Sequence, residues 1–173
     1  YEYNGIKIIN SNGEKIDSQL ENEIEKKLLD EPITKTSENI GKATRSADSR
    51  DMYESFLTNV FNHKRTLTNF KLVLDCSNGA AYKVAPSILS KLGAEIIPIA
   101  CSPNGFNINK NCGSTNPENI MNTVKALKAD LGIALDGDAD RILLIDENGK
   151  CLNGDQILYM LAMINKDKPN FNS

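Results

Sequence analysis

The chain has 173 residues, of which 40% are hydrophobic and 25% charged, and its formal net charge is −3. This composition supports a buried core and predicts a globular protein of one domain with appendages or of two small units. The acidic balance argues against nucleic acid as a partner, because nucleic-acid-binding proteins usually present excess Lys and Arg on one face. Since no apolar run approaches the roughly 18–20 residues that span a bilayer, we expect a soluble, cytoplasmic protein without a membrane partner.

The cysteines and the chain ends bear on the redox state of the thiols and on whether the chain is part of a longer protein. The four cysteines have no Cys-x-x-Cys spacing, and a chain with this much core does not need disulfides, so we expect reduced thiols. The chain begins with Tyr1 rather than Met and ends in KPNFNS without a closing element, which favours a piece of a longer protein. The sequence predicts no particular oligomeric state.

The first part of the chain predicts a hairpin and two helices. The β-branched run from Ile6 to Ile9 meets a Ser-Asn-Gly turn and a second apolar stretch, which is typical of a hairpin. Asp17 is placed to cap a helix that ends before Pro32. Residues 33–46 are polar and predict a connector. A second, amphipathic helix follows, with these apolar residues at helical spacing: Met52, Tyr53, Phe56, Leu57 and Val60.

From Phe70 onward, short apolar runs alternate with helical patterns. Buried strands are predicted at 71–75, 94–100 and 129–136, with a fourth strand at 141–146. Helices are predicted at 81–93 despite Pro86, at 117–129 with Pro117 in the first turn, and from 154. Apolar strands that alternate with helices imply parallel pairing. The predicted fold class is therefore α/β, a layered sheet with flanking helices.

The third strand runs into the acidic stretch LDGDADR. Asp136, Asp138 and Asp140 occupy alternate positions, and Arg141 follows directly. They lie at the carboxyl end of a strand, where open α/β sheets bind their ligands. Three carboxylates this close repel one another unless a cation compensates them, and an all-oxygen ligand set favours Mg²⁺ over zinc. Arg141 is placed to fork onto a phosphate that also reaches the metal, which indicates phosphoryl transfer.

Two other readings of this stretch are weaker. DGDADRILLIDE has Asp at positions one, three and five of an EF-hand calcium loop and Glu147 at position twelve. Position six of that loop requires Gly, however, and here it is Arg141, while the flanking residues are strand-like. A solvated acidic turn accounts for single Asp residues but not for three beside an Arg.

Other reactive side chains give weaker signals. Cys76 at a strand end is typical of packing rather than of a nucleophile. His63 closes the second predicted helix, where a helix-end or surface role is expected. The Gly79 loop favours a plain strand-to-helix turn over a phosphate cradle. Three loop serines have no evident base beside them: Ser77, Ser102 and Ser114.

LDGDADR, together with the upstream LDCSNGAAYKVAP and the leading NGIKI, resembles the phosphohexomutase family of phosphoglucomutases and phosphomannomutases. PNGFNIN (103–109) and CGSTNPE (112–118) favour a member that acts on glucosamine phosphate, and the resemblance covers nearly the whole chain. It implies an enzyme that exchanges phosphate between the 6- and 1-positions of a phosphorylated hexosamine, for UDP-N-acetylglucosamine and cell-wall synthesis. The implied route uses a phosphoserine and a bisphosphate intermediate.

The resemblance also implies residue roles. Asp136, Asp138 and Asp140 match the family's Mg²⁺ ligands, and Arg141 matches the arginine near the transferring phosphate. Lys7 of NGIK matches a lysine near the reacting groups, a candidate for proton transfer or charge stabilisation, with an outward hairpin lysine as the alternative. The family's phosphoserine lies in a Ser-His-Asn-Pro loop shortly before NGxK, a loop that these 173 residues do not contain. We therefore expect the chain alone to be inactive.

By the same resemblance, residues 1–32 are the end of a first domain and 33–69 a connecting segment with a helix. Residues 70–150 are a complete second α/β domain with the metal loop, and 151–173 begin a third domain. Two alternatives stay open: a phosphomannomutase or phosphoglucomutase of broader specificity, and a non-catalytic module that binds Mg²⁺ or a phosphosugar.

Overall fold

The structure, a computed structural model, describes residues 7–30, 34–42, 48–61 and 66–166. The chain divides into two compact units, Tyr1–Ser46 and Ala47–Ser173. The expected roles of Pro32 and His63 lie outside the described residues. Among those that are described, no helix is long and apolar enough to cross a membrane. The predicted division into four segments, 1–32, 33–69, 70–150 and 151–173, stays a prediction.

The first unit contains a turn and helix α1 (Ser18–Leu28). Within residues 7–16, the described part of the predicted hairpin, Ile9 and Lys15 form an antiparallel bridge. Asp17 caps α1 as predicted, since its carboxylate accepts a hydrogen bond from the backbone N–H of Leu20 at 2.8 Å. The polar connector contains one turn of 3₁₀-helix, Ser37–Asn39.

The second unit is a five-stranded mixed sheet with helices. Its strands are β1 (Lys71–Asp75), β2 (Glu95–Ile99), β3 (Leu131–Leu135), β4 (Ile142–Asp146) and β5 (Cys151–Leu152), in the order β2-β1-β3-β4-β5. β1 pairs parallel with β2 and β3, as predicted, whereas β4 is antiparallel to both β3 and β5. Six residues, 136–141, join β3 to β4. That is too short for a parallel crossover, which takes about a dozen residues or more.

Strand β2 lies at the edge of the sheet and is partly exposed, so the prediction of a buried strand was wrong for this element. Pro98 within it lacks the N–H that a central strand would need, and proline is confined largely to edge strands for that reason. The predicted fold class is confirmed. Only three neighbouring strands of the sheet, β2, β1 and β3, are parallel.

Four helices accompany the sheet: α2 (Ser49–Val60), α3 (Val84–Lys91), α4 (Glu118–Leu127) and α5 (Gly154–Asn165). Helix α3 begins later than predicted, after a 3₁₀ turn at Ala80–Tyr82. Pro86 therefore lies in the first turn of α3, where an N–H has no partner within the helix and its absence costs little. Pro117 immediately precedes α4 rather than opening it.

Helix α2 packs against α3 through a buried charge. Glu54 is 2% exposed, accepts a hydrogen bond from Ser87 Oγ at 2.8 Å and pairs with Lys91. The predicted amphipathic helix thus forms, but four of its apolar side chains are exposed: Met52, Tyr53, Phe56 and Val60.

The core lies between α4 and the sheet. Ile120 and Val124 of α4 are fully buried together with Val73, Ala134 and Ile145 of three strands. A Cβ atom on Gly132 of β3 would lie 2.8 Å from Val124 Cγ2. The helix therefore packs directly on the backbone of the strand that leads into the acidic stretch.

Replacing Ile120 with Ala should destabilise the protein by about 2–5 kcal/mol, since it leaves a cavity under α4. Leu127→Ala in the same helix is the control, because Leu127 is 41% exposed; it should cost less than about 1 kcal/mol. Urea unfolding measures both, and equal losses would contradict this core.

Acidification tests the buried charge of α2. Hydrogen bonds from Lys91 and Ser87 hold the pKa of Glu54 below its usual value. The stabilisation is therefore present above the unfolded pKa of about 4.3 and is lost as the pH falls through the lower folded pKa. Glu54→Gln should make the free energy of unfolding less pH-dependent in that range than it is in the wild type. Identical curves of the free energy of unfolding against pH for Glu54→Gln and the wild type would contradict this contribution.

Candidate metal centre at the ends of β1 and β3

Three carboxylates meet directly after β3. Asp136, Asp138 and Asp140 each offer an oxygen, and these oxygens lie within 4.8 Å of one another. Asp136 is 2% exposed, whereas Asp138 and Asp140 are exposed. Hard divalent cations such as Mg²⁺ prefer an all-oxygen ligand set of this kind. The residues present therefore fit a metal site with one buried and two open ligands.

A tight turn brings these side chains together. Ala139 has a left-handed backbone with φ +60°, and its N–H donates to the carbonyl of Asp136 at 3.1 Å. The chain thereby reverses direction between the antiparallel strands β3 and β4. We call residues 136–141 the acidic loop.

Arg141 closes the acidic loop onto Asp136. Its backbone N–H donates to Asp136 Oδ1 at 3.0 Å, and its Nε and Nη2 atoms each lie 2.9 Å from Oδ2. Arg141 Nε also lies 3.7 Å from Asp140 Oδ1. The guanidinium therefore acts as an internal counterion, although 68% of its side chain is exposed.

The charges of the acidic loop shift two pKa values in opposite directions. Burial raises the pKa of Asp136, but the hydrogen bonds and charge of Arg141 outweigh burial, so its pKa lies below the usual value. The negative charge of Asp138, with burial and Asp136 as smaller causes, raises the pKa of Asp140. A bound cation would relieve this repulsion between carboxylates.

A fourth carboxylate, not predicted from the sequence, lies at the end of β1, the strand that neighbours β3. Asp75 ends β1 and is fully buried. Its Oδ1 accepts the N–H of Ser77 at 2.9 Å, and its Oδ2 accepts the N–H of Gly113 at 2.8 Å. Burial raises its pKa, and these two donors oppose that shift. An Asp directly after the apolar run Leu72–Leu74, and before a Ser-Asn-Gly stretch, is the signal that the sequence contains.

The serines of the neighbouring loops make structural contacts. Ser77 Oγ donates to the carbonyl of Leu135 at 2.6 Å, and the N–H of Ser114 donates to the same carbonyl at 3.0 Å. The N–H of Ser102 donates to Asn78 Oδ1 at 3.0 Å. The Ser77 hydroxyl is thus engaged within the protein. That none of the three serines is a nucleophile stays a prediction.

The loop after β1 touches the acidic loop directly. The N–H of Ala80 donates to the carbonyl of Gly137 at 2.8 Å, and a Cβ atom on Gly79 would lie 2.2 Å from that oxygen. Only glycine fits such an approach. Because the Ala80 N–H is used within the protein, the geometry favours the plain turn over a phosphate cradle at Gly79.

Cys76 and Lys7, which the sequence analysis also considered, belong to different compact units. Cys76 is fully buried, and burial raises the pKa of its thiol well above the usual value, so it is not poised as a nucleophile. Lys7 is exposed and belongs to the first compact unit. Its role near the reacting groups stays a prediction.

The fold and the acidic loop define an α/β domain with a candidate metal site at the carboxyl ends of its strands. The family described as phosphoglucomutase/phosphomannomutase, alpha/beta/alpha domain II, matches residues 51–149. The chain therefore belongs to the phosphoglucomutase/phosphomannomutase family, and the resemblance predicted from LDGDADR is confirmed.

Curated relatives share the name phosphoglucosamine mutase. The chain is 49% identical to one from Hamiltonella defensa over 160 residues, which are 92% of this chain and 36% of the relative. It is 46% identical to one from Acinetobacter baylyi over 166 residues, which are 96% of this chain and 38% of the relative. The chain thus spans little more than a third of the length of these relatives.

Solved structures agree with the fold. A phosphoglucomutase/phosphomannomutase family protein from Burkholderia thailandensis matches with a TM-score of 0.59 and 27% identity, over 69% of this chain and 26% of that one. A protein described as a phosphomannomutase from Thermus thermophilus matches with a TM-score of 0.62 over 75% of this chain and 31% of that one. At 22% identity, the second match bears on the fold alone.

Asp138→Asn should weaken Mg²⁺ binding by about 10-fold or more, because it removes one charged ligand from the group of three. Isothermal titration of the 173-residue chain with MgCl₂ measures this affinity. Glu147→Gln is a matched control: it removes the same charge beyond the far end of β4, away from the acidic loop. Equal affinity of Asp138→Asn and Glu147→Gln would mean that the acidic loop does not hold the ion.

Proposed function

We propose that the chain is the metal-loop region of a phosphoglucosamine mutase, which interconverts D-glucosamine 6-phosphate and α-D-glucosamine 1-phosphate. The observation that carries the proposal is a group of three carboxylates within 4.8 Å, in a chain that is 44–49% identical to relatives of that name. The product would supply UDP-N-acetylglucosamine for cell-wall synthesis in the cytoplasm.

In this proposal the acidic loop holds a divalent cation. Mg²⁺, when bound, supplies charge neutralisation to the oxygens of a transferring phosphoryl group. Asp136, Asp138 and Asp140 would hold the ion. The reaction would then draw on positioning and electrostatics more than on covalent chemistry from this part of the chain.

Arg141 has two tasks in the proposal. Its contacts with Asp136 fix that ligand before the ion arrives, which lowers the cost of organising the site. The Arg141 side chain is 68% exposed, so in the proposal a phosphate oxygen at the same site can reach the guanidinium. A planar guanidinium suits such a contact because its donors match the spacing of two phosphate oxygens.

The remaining groups of the reaction are assigned by family membership. A phosphoserine outside these residues would donate the phosphoryl group and form a bisphosphate intermediate, in the isomerase class of phosphotransferases. Lys7 would transfer a proton or stabilise charge near the reacting groups. The chain alone would accordingly bind Mg²⁺ without turnover.

A chimera tests this function. In it, this chain replaces the 166 matched residues of the Acinetobacter baylyi phosphoglucosamine mutase. We expect the chimera to convert glucosamine 6-phosphate. Asp138→Asn in the chimera should reduce the turnover by about 100-fold or more. Glu147→Gln, the control, should leave the turnover unchanged. A coupled assay that detects glucosamine 1-phosphate measures both.

Three outcomes would change the proposal. Rapid conversion by the 173-residue chain alone would overturn the assignment of the phosphoryl donor to another segment. A folded chimera that converts mannose or glucose phosphates in preference to glucosamine 6-phosphate would favour a phosphomannomutase or phosphoglucomutase. Mg²⁺ binding without any turnover by the folded chimera would favour a non-catalytic binding module.

A further inference from the structure

Each polar group of Ser77 makes a hydrogen bond within the protein. Its N–H donates to Asp75 Oδ1 at 2.9 Å, its carbonyl accepts the N–H of Asn109 at 2.9 Å, and its hydroxyl donates to the carbonyl of Leu135 at 2.6 Å. The residue is fully buried. Three segments far apart in sequence therefore meet at one serine, at the carboxyl ends of β1 and β3.

The backbone of Ser77 has an unusual conformation. Its φ is +53°, in the left-handed region that non-glycine residues rarely adopt. Such a conformation persists where the surroundings impose it, and such positions cluster at functional sites. Here the two hydrogen bonds that Asp75 accepts, from Ser77 and Gly113, hold the loop in this form.

The Ser77 hydroxyl lies close to the backbone of Gly113. A Cβ atom on Gly113, whose φ is +75°, would lie 1.6 Å from Ser77 Oγ. The hydroxyl is thus packed against backbone on one side and bonded to the Leu135 carbonyl on the other. Its direction is fixed by both contacts.

These contacts reach the backbone on both sides of Asp136. The Leu135 carbonyl precedes Asp136 and accepts the Ser77 hydroxyl and the Ser114 N–H. The Gly137 carbonyl follows it and accepts the N–H of Ala80, three residues after Ser77. The buried ligand of the acidic loop is therefore positioned through the loop that Ser77 anchors.

We propose that Ser77 is a positioning residue, whose hydroxyl, bonded to the Leu135 carbonyl, sets the geometry with which the acidic loop binds its divalent cation. The inference rests on the proposed metal site. Groups that orient metal ligands from outside the coordination shell typically change metal affinity by about 10–100-fold.

Two substitutions at this position separate positioning from stability. Ser77→Ala removes the hydroxyl and keeps the side-chain carbon. Ser77→Gly also removes the hydroxyl but relieves the left-handed strain, since glycine adopts positive φ freely. If the hydroxyl positions the loop, both variants should bind Mg²⁺ about 10-fold more weakly or worse, although Ser77→Gly should unfold at a higher temperature than Ser77→Ala.

Ser87→Ala is the matched control. The Ser87 hydroxyl makes a comparable partly buried hydrogen bond, 2.8 Å to Glu54 Oε2, between α2 and α3. It should lower the unfolding temperature and leave the Mg²⁺ affinity unchanged. Isothermal titration of the 173-residue chain with MgCl₂, well below each unfolding temperature, gives the affinities.

The outcomes distinguish this inference from the proposed function. Weaker binding by both Ser77 variants, with wild-type affinity in Ser87→Ala, supports it. Wild-type affinity in both Ser77 variants overturns it and leaves the metal site intact. Affinity that follows the unfolding temperature across all three variants would overturn it in favour of a purely structural role. A wild-type chain that binds no Mg²⁺ would overturn both proposals.

Discussion

The buried carboxylate of Asp75 holds together the part of the molecule that carries the candidate site. A fully buried carboxylate is costly unless donors compensate it, and here two backbone N–H groups do so, from the loop after β1 and the loop before α4. Each of these loops in turn donates to the Leu135 carbonyl at the end of β3. The cost of one buried charge is thereby offset by bonds that also fix the start of the acidic loop.

The elements that the sequence predicted well are those with a local signal. Continuous apolar runs predicted β1, β3 and β4, and the alternate aspartates with Arg141 predicted the cluster, because neighbours along the chain determine both features. The apolar pattern alone does not give the direction of β4, whereas the six-residue connection from β3 requires an antiparallel strand. Pro98 likewise favours an edge strand, since proline has no N–H for a second neighbour, and β2 lies at the edge of the sheet.

The features that the sequence did not predict depend on contacts between distant residues. The Ser77 hydroxyl and Leu135 carbonyl are 58 positions apart, and no local pattern relates them. In the sequence, Gly79 and Gly113 are ordinary loop glycines. In the structure, a Cβ atom on Gly79 would clash with Gly137, and a Cβ atom on Gly113 would clash with Ser77. The pairing of Arg141 with Asp136 was also missed, since the sequence placed the arginine on a phosphate and the structure places it on the carboxylate. The two contacts are compatible, because most of the Arg141 side chain stays exposed.

The three aspartates of the acidic loop therefore differ in a way that their even spacing conceals. Asp136 is buried and fixed by Arg141, with its backbone bonded on both sides, so little freedom is left to lose when a cation binds. Asp138 and Asp140 are exposed, and their mutual repulsion raises the pKa of Asp140. Both features favour the binding of a cation at this position. Asp136 is already in place, and the cation would relieve the repulsion between Asp138 and Asp140. Asp136 therefore fixes where a divalent ion would bind, and Asp138 and Asp140 supply the further negative charge that would balance it.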